Sequence, residues 1–279
     1  MNFGQLDWGK TNRLAQIFKR NKKGEYHTVM LAMDHPYFYG PTTGLIDPRK
    51  TMQPLVPYAD AISPAKGTLE YCLDAKVPVP VILRVTGGNS MRMPDQLSDE
   101  EIITSVEEAV KLNAVGVSIS VYIDSPHQKQ TLKNLGQLAN ECSKYGLLVL
   151  GITATGAELK KRLEEESDSN RNYFAHAGRI IQENGANIVK TYYTKGFEEV
   201  REGIQVPIVI AGGKKVPELD ALTYTYNSIQ AGAEGIDMGR NIFQADNPVA
   251  MIQAISSVVH KGKTPQEAYR SYKELSKKE

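Results

Sequence analysis

Eight short, nearly all-apolar segments alternate with helix-like stretches along this chain, and this alternation constrains the fold more than any other feature. Strands that are apolar on both faces are typical of parallel sheets covered by helices. An open, doubly wound sheet of eight strands is one solution. A closed (β/α)₈ (TIM) barrel fits better, because such barrels need about 250 residues and the chain has 279. The predicted strands are Thr28–Asp34, Ala59–Ser63, Pro80–Val85, Val115–Val121, Leu147–Thr153, a sixth ending at Lys190, Val206–Ala211 and Gly235–Gly239.

We interpret the chain as a single domain with additions at both ends. Residues 1–27 are mixed and basic, and a short helix predicted over Asn12–Lys19 caps one end of the domain. Residues 28–279 form the barrel, and Thr264–Lys278 has the amphipathic pattern of one further helix.

Two helices are predicted from local patterns inside the barrel. Ser98 and Glu101 have the spacing of a capping box, which predicts a helix from there to Asn113. A charged helical stretch is predicted over residues 158–166.

Composition argues against several classes of protein. With 33 basic and 32 acidic residues the net charge is +1, so no bulk attraction to nucleic acid or membranes is expected. There is no apolar run near 20 residues, and Met1–Lys10 lacks the apolar region of a secretory signal. Two cysteines, Cys72 and Cys142, lack metal-like spacing and suit a reducing cytoplasm. We therefore expect a soluble cytoplasmic protein.

Metal and nicotinamide chemistry are not expected. The five histidines fall on different predicted elements and suggest no ligand cluster. No G-x-G-x-x-G opens a helix after the first strand.

Lys190 closes the sixth strand and is the leading candidate for catalysis. A strand-end lysine inside a parallel barrel is partly desolvated, which lowers its pKa and frees neutral amine as a nucleophile for a carbonyl carbon. The alternative is a lysine that extends its charge into water.

The active site of a barrel lies at the carboxyl ends of its strands, and polar residues follow several of the predicted strands. Asp34 and His35 follow the first and are candidate catalytic residues; alternatively they are a turn cap and a satisfied loop histidine. Candidate substrate-binding residues are Arg84 and Asn89 after the third strand and Tyr122 after the fourth, against the alternatives of surface pairing and simple packing.

Glycine-rich turns follow the last two strands. Such turns let backbone N–H groups approach an anion, a helix N-terminus adds positive potential, and barrels commonly hold a substrate phosphate here. The residues concerned are Gly212, Gly213, Lys214, Gly239 and Arg240. A phosphate site beside a Schiff-base lysine describes an enzyme for phosphorylated ketones, in which Asp34 hydrogen-bonds the amine or moves protons.

Several motifs resemble those of the archaeal-type class I aldolases in the DeoC/fructose-bisphosphate aldolase superfamily. They include Met30–His35, Gly40–Leu45, Ile188–Tyr193, Ile208–Lys215 and Gly235–Phe243. The resemblance runs from about residue 6 to residue 272. It implies a TIM barrel, a catalytic lysine at Lys190, an active-site carboxylate at Asp34 and a phosphate site at the two glycine turns.

Within this group the chain is most similar to a thiolase branch that acts in breakdown of the phosphorylated autoinducer-2 signal. That likeness implies cleavage of a phosphorylated dione with coenzyme A as co-substrate, with no bound cofactor, giving acetyl-CoA and dihydroxyacetone phosphate. It also implies a ring-like homo-oligomer such as a decamer.

One departure separates the branches. Aldolases of this group carry a tyrosine acid/base in a Tyr-Pro-Arg-Gly-like turn after strand 5, whereas Leu150–Gly156 has no tyrosine, proline or arginine. Attack by an external thiol does not need that base, so this favours the thiolase. Against it, no coenzyme A motif is recognisable, and His35-Pro36 replaces an expected His-Gly and removes a backbone donor. The alternatives are a Schiff-base aldolase or transaldolase and a non-catalytic phosphosugar-binding protein.

Overall fold

The computed structural model describes residues 6–21, 23–154 and 168–277, and within these ranges the eight predicted strands are all present. We number them β1 to β8 in chain order. They are β1 Tyr26–Met33, β2 Ala61–Pro64, β3 Ile82–Arg84, β4 Gly116–Val121, β5 Leu148–Thr153, β6 Ile188–Thr191, β7 Ile208–Ala211 and β8 Gly235–Met238. The prediction of eight strands is confirmed, with boundaries that shift by a few residues.

The strands form a closed parallel barrel in chain order. β8 pairs with β1 in parallel, with Asp237 opposite Met30, and β1 pairs with β2. Strands β3 to β8 pair with their sequence neighbours. The ring closes between β2 and β3 through the bridges Ile62–Val81 and Ala65–Arg84. The barrel is confirmed and the open sheet is excluded.

Helices surround the barrel and follow its strands. They are Trp8–Ile17, Pro36–Tyr39, Pro48–Met52, Lys66–Cys72, Val106–Lys111, Gln128–Tyr145, Asp168–Glu183, Phe197–Gly203, Glu218–Gln230, Arg240–Phe243, Pro248–Lys261 and Pro265–Ser276, with 3₁₀ turns at Gln53–Tyr58 and Pro94–Gln96. Two-residue strands pair Lys19–Arg20 with β1, and Thr86–Gly87 with Glu101–Ile102. In the described ranges no helix is both long and apolar enough to span a bilayer.

The N-terminal helix plugs one end of the barrel. Asp7 caps it by accepting from the Lys10 amide. Its apolar residues join the inward residues from the first half of the strands in one buried cluster, while the outward residues pack against the helices. The interior cluster is Leu14, Ile17, Phe18, Met30, Ala61, Ile82, Leu148, Leu150, Ile188 and Val209. Because this plug fills the amino ends of the strands, only the carboxyl ends are open.

The capping box predicted at Ser98 is wrong. The Ser98 hydroxyl lies 2.9 Å from Nδ1 of His127, and Glu101 belongs to the short strand that pairs with Thr86–Gly87. The helix begins only at Val106, where the Ser105 side chain accepts from the Glu108 amide. A two-residue pairing and a long-range polar contact here outweigh the local capping pattern. The stretch predicted over residues 158–166 lies outside the described residues.

Candidate active site

Alternation along the strands directs polar side chains into the open mouth of the barrel. In β6, Ile188 and Lys190 face inward, whereas Val189 packs outward against the helices. The same parity brings Arg84 from β3 and Asp237 from β8 to the lining of one cavity of about 320 Å³. This volume suits a small metabolite.

The Lys190 amine is held by a carboxylate that the sequence analysis did not single out. Nζ of Lys190 donates to Oδ2 of Asp237 at 2.7 Å, and the Ser63 hydroxyl donates to the same carboxylate at 3.1 Å. Burial lowers the pKa of Lys190, but Asp237 and Asp34 outweigh burial and raise the pKa above its ordinary value. The expectation of a lowered pKa is therefore wrong, because it considered desolvation without the two carboxylates.

Arg84 sits between two carboxylates on the other side of the mouth. Its guanidinium donates to Glu100 at 2.7 and 2.8 Å and approaches Asp34 at 3.4 Å. The nitrogen that donates to Glu100, Nη2, also lies 2.7 Å from the hydroxyls of Tyr37 and Ser120. Burial raises the pKa of Asp34, but His35, Lys190 and Arg84 together lower it. Asp34 is thus an anion at neutral pH, and Arg84 is committed to protein partners.

Glu100 is the centre of a buried network that holds this wall. It is fully buried and accepts hydrogen bonds from Arg84 and from four other side chains. These are Tyr37 at 2.6 Å, Thr86 at 2.7 Å, Asn89 at 3.1 Å and Tyr122 at 3.3 Å. Tyr122 lines the cavity, and burial raises the pKa of its phenol, which therefore stays protonated. Asn89 does not line the cavity; it braces Glu100 and the loop after β3.

His35 is a neutral member of the site. Burial lowers its pKa to about 4. Its ring packs edge-on against Phe243 and parallel to Tyr39. Nδ1 of His35 is buried without a hydrogen-bond partner and lies 3.6 Å from Asp34. The ring therefore contributes a hydrogen-bonding group to the cavity rather than a charge.

The turns after β7 and β8 form the other end of the cavity, which Gly212, Gly213, Lys214, Gly239 and Arg240 all line. Gly213 has a φ of +66°. A Cβ at Gly239 would lie 2.7 Å from the Ala32 carbonyl oxygen, so only glycine allows this close approach. The helix after Gly239 is a single turn, Arg240–Phe243, so positive charge here comes from side chains rather than from a helix dipole.

Arg240 is the main cation of that end. It donates to the Tyr39 hydroxyl at 3.2 Å, while its Nε is buried without a partner. Among the described residues no carboxylate forms a salt bridge with it. An arginine with a spare donor beside glycine turns is suited to bind a phosphate.

Asn241 fixes the shape of the β7 turn. Its amide donates to the carbonyl oxygens of Gly212 at 2.6 Å and Lys214 at 3.1 Å, and its oxygen accepts from the Val216 amide at 2.9 Å. One side chain thus satisfies three backbone groups of a loop that has no strand partner.

Sequence reasoning missed Asp237, Tyr192, Glu100 and Asn241. Asp237 and Tyr192 carried a signal. An aspartate within a buried strand needs a partner. Tyr192 lies two residues after Lys190, so it faces the same way as Ile188 and Lys190 and lines the cavity. Glu100 carried none, because it stands in an acidic run, Asp99–Glu101, that reads as surface. The described residues contain no group of three or more histidine, cysteine or carboxylate ligands arranged for a metal.

Comparisons with known proteins identify the family of the chain. Residues 28–245 match the profile of the DeoC/LacD family aldolases. The 3-hydroxy-5-phosphonooxypentane-2,4-dione thiolase of Yersinia pseudotuberculosis is 44% identical over 272 residues, 96% of this chain and 88% of the relative. An uncharacterised aldolase of Pasteurella multocida is 44% identical over 270 residues, 96% of this chain and 89% of the relative.

Solved structures show the same likeness. An archaeal fructose 1,6-bisphosphate aldolase superposes with a TM-score of 0.76 at 26% identity, covering 91% of this chain and all of the other. Another archaeal aldolase, whose catalytic lysine is covalently bound to the carbinolamine intermediate, gives 0.76 at 25% identity, covering 90% and 99%. The chain therefore belongs to the DeoC/LacD family of aldolases.

Proposed function

We propose that this enzyme transfers the acetyl group of 3-hydroxy-5-phosphonooxypentane-2,4-dione to coenzyme A, giving acetyl-CoA and dihydroxyacetone phosphate. The observation that carries the proposal is the Lys190–Asp237 pair at 2.7 Å in a cavity whose glycine-turn end holds Arg240, which forms no salt bridge with any described carboxylate. The 44% identity to the Yersinia thiolase supports the choice of substrate.

The amine begins the reaction. Asp237 takes a proton from Lys190, and the neutral amine adds to C4, the ketone next to the phosphorylated carbon. Asp237 then returns that proton to the departing hydroxyl group, so loss of water from the carbinolamine leaves a protonated imine beside an ionised Asp237. The dense polar surroundings of Lys190 favour this step, because Asp34 and Asp237 stabilise the cationic imine as they stabilise the ammonium.

Acyl transfer then follows from the imine. The coenzyme A thiolate adds to C2, and collapse of that adduct breaks the C2–C3 bond. The electron pair moves from C3 into the imine as an enamine, and acetyl-CoA leaves. Protonation at C3 and hydrolysis of the imine release dihydroxyacetone phosphate and restore Lys190. The thiol proton is returned at C3, so the reaction needs no oxidant or reductant.

The end of β5 agrees with a thiol as the attacking group. Ile152 and Ala154 line the cavity there, while Thr155 and Gly156 lie outside the described residues. An aldol cleavage needs a base for the substrate hydroxyl, and the inward positions of β5 supply none. The phenols of Tyr37 and Tyr122 are committed to Glu100 and have raised pKa values.

A class I aldolase acting on a phosphorylated ketose is the second candidate. It is favoured by the likeness to the archaeal fructose 1,6-bisphosphate aldolases. Such an enzyme would use the same lysine and phosphate end, with Tyr192 and Tyr39 as the cavity-lining phenols that Glu100 does not hold.

A product assay separates the two candidates. The purified protein is incubated with the dione phosphate, with and without coenzyme A. Acetyl-CoA and dihydroxyacetone phosphate formed only with coenzyme A establish the thiolase. No turnover, with borohydride still fixing dihydroxyacetone phosphate to the protein, establishes an aldolase-type enzyme for another substrate.

Asp237→Asn is expected to change the pH dependence of the amine. Because Asp237 raises the pKa of Lys190, its loss leaves burial dominant and lowers that pKa. Cyanoborohydride trapping of dihydroxyacetone phosphate needs neutral amine, so its pH profile should move to lower pH. Turnover should instead fall by about 10²–10⁴-fold, because the proton acceptor is gone. An unshifted trapping profile would show that Asp237 does not control the amine.

Arg240→Met is expected to weaken binding of phosphorylated substrates only. A hydrogen bond to a charged group contributes about 1.5–3 kcal/mol, which is roughly a 10–150-fold rise in KM for the dione phosphate. Trapping of dihydroxyacetone, which lacks the phosphate, serves as the control and should not change. Equal losses with both ketones would place the phosphate elsewhere.

A further inference from the structure

The two sides of the barrel mouth differ in polarity. In an eight-stranded barrel that closes in chain order, the loop after β3 lies across the mouth from the turn after β7. The β7 and β8 side is built from glycines, Lys214 and Arg240. The loop after β3 carries Met91, Pro94 and Leu97, and Phe38 from the helix after β1 joins them; these four form an apolar wall that lines the same cavity.

This apolar wall is fixed in place. The Met91 amide donates to the Phe38 carbonyl oxygen at 2.9 Å, which ties the loop to the Pro36–Tyr39 helix. Asn89 donates to the Leu97 carbonyl oxygen at 2.5 Å and to buried Glu100 at 3.1 Å. Met91 nevertheless remains 39% exposed. Exposed apolar side chains that are fixed in position at the edge of a cavity are typical of a ligand-contact surface.

The order of atoms in the proposed substrate indicates which ligand contacts the apolar wall. With the phosphate at the β7 and β8 turns and C4 bonded to Lys190, the C2 carbonyl lies beyond C4 on the side away from the phosphate. The thiol that attacks C2 therefore approaches from the side away from β7 and β8, which is where the loop after β3 lies. The arm that carries this thiol is pantetheine, a thin chain of methylene groups and two amides.

We propose that Phe38, Met91, Pro94 and Leu97 form the surface along which the pantetheine arm of coenzyme A reaches the substrate. This assignment rests on the proposed thiolase function and adds the acceptor site to it. The wall excludes water from the thiolate, and its apolar side chains contact the methylene groups of the arm.

The loop itself offers a matched pair of variants for the test. Met91 lines the cavity, whereas Met93, which is 54% exposed, does not. Met91→Asp and Met93→Asp add the same charge to the same loop, so general repulsion of the anionic coenzyme A is equal in both. Met91→Leu keeps an apolar side chain at the wall.

Two readouts are measured: KM for coenzyme A in the product assay, and calorimetric binding of coenzyme A to protein whose Lys190 carries the borohydride-reduced dihydroxyacetone phosphate adduct. Met91→Asp should raise KM and Kd for coenzyme A about tenfold or more, with KM for the dione phosphate unchanged. Met93→Asp should match the parent protein, and Met91→Leu, which keeps an apolar side chain at the wall, should lose far less than Met91→Asp. Pantetheine, which lacks the nucleotide, should show the same loss with Met91→Asp.

Three outcomes would overturn the assignment. If the parent protein makes acetyl-CoA while Met91→Asp and Met93→Asp behave alike, the arm lies elsewhere and the thiolase function stands. If the loss occurs with coenzyme A but not with pantetheine, Met91 contacts the nucleotide instead of the arm. If the parent protein neither binds coenzyme A nor forms acetyl-CoA, the thiolase function and the acceptor site both fail.

Discussion

Lys190→Ala is expected to abolish both turnover and covalent trapping of dihydroxyacetone phosphate. Every intermediate of the proposed chemistry is bonded to this amine, and among the described residues no other lysine forms a salt bridge with Asp237. Removing a covalent nucleophile from another enzyme cost on the order of 10⁶-fold in kcat, and a loss of similar size is expected here. Turnover is measured by acetyl-CoA formation, and the adduct by the mass of the borohydride-reduced protein.

Two matched lysines control that experiment. Lys195 is exposed five residues farther along the chain, and Lys195→Ala should leave turnover and trapping unchanged. Lys214 lines the phosphate end, so Lys214→Ala should weaken substrate binding while the adduct still forms. An adduct that persists in Lys190→Ala and disappears in Lys214→Ala would move the nucleophile to the β7 turn and refute the proposed role of Lys190.

The barrel could be predicted because its cause is local and repeated. Each strand is a short apolar run. Alternate residues face either the barrel interior, as Met30 and Ile188 do, or the surrounding helices. The same alternation places Lys190 and Asp34 at the open end. The capping-box prediction at Ser98 failed because the partner of that side chain, His127, is 29 residues away.

The charges of the site could not be predicted in the same way. A pKa depends on distances between side chains from different strands. The pKa of Lys190 is raised rather than lowered because of Asp237 of β8, 47 residues away. Arg84 was expected to bind substrate because it follows a strand. In the structure its nitrogens are held by protein groups: Nη2 by Glu100, which sits in an acidic run of the sequence, and Nε by the Thr86 carbonyl oxygen.

Glu100→Ala is expected to cause the largest loss of stability among the described residues of the site. Glu100 is fully buried, and its removal leaves the Arg84 guanidinium buried with only a 3.4 Å contact to Asp34 as its remaining carboxylate partner. Breaking a buried ion pair on one side costs about 3–5 kcal/mol. Tyr37, Thr86 and Asn89 lose an acceptor as well. For a chain of this size Tm should fall by roughly 10 °C, which calorimetry measures.

The neighbouring glutamate, Glu101, provides a control, because it lies beside Glu100 in the sequence but is not buried. Glu101 is exposed, and among the described residues its side chain accepts only from Gln130, at 3.1 Å, so Glu101→Ala should change Tm by no more than a degree or two. Glu100→Gln keeps the shape of the side chain but not its charge, so Arg84 should turn its freed donors toward Asp34. That closer cation would lower the pKa of Asp34 further. If both alanine variants unfold at the same temperature, the Arg84–Glu100 pair is not what holds the β3 wall, and the fixed position of the apolar wall needs another cause.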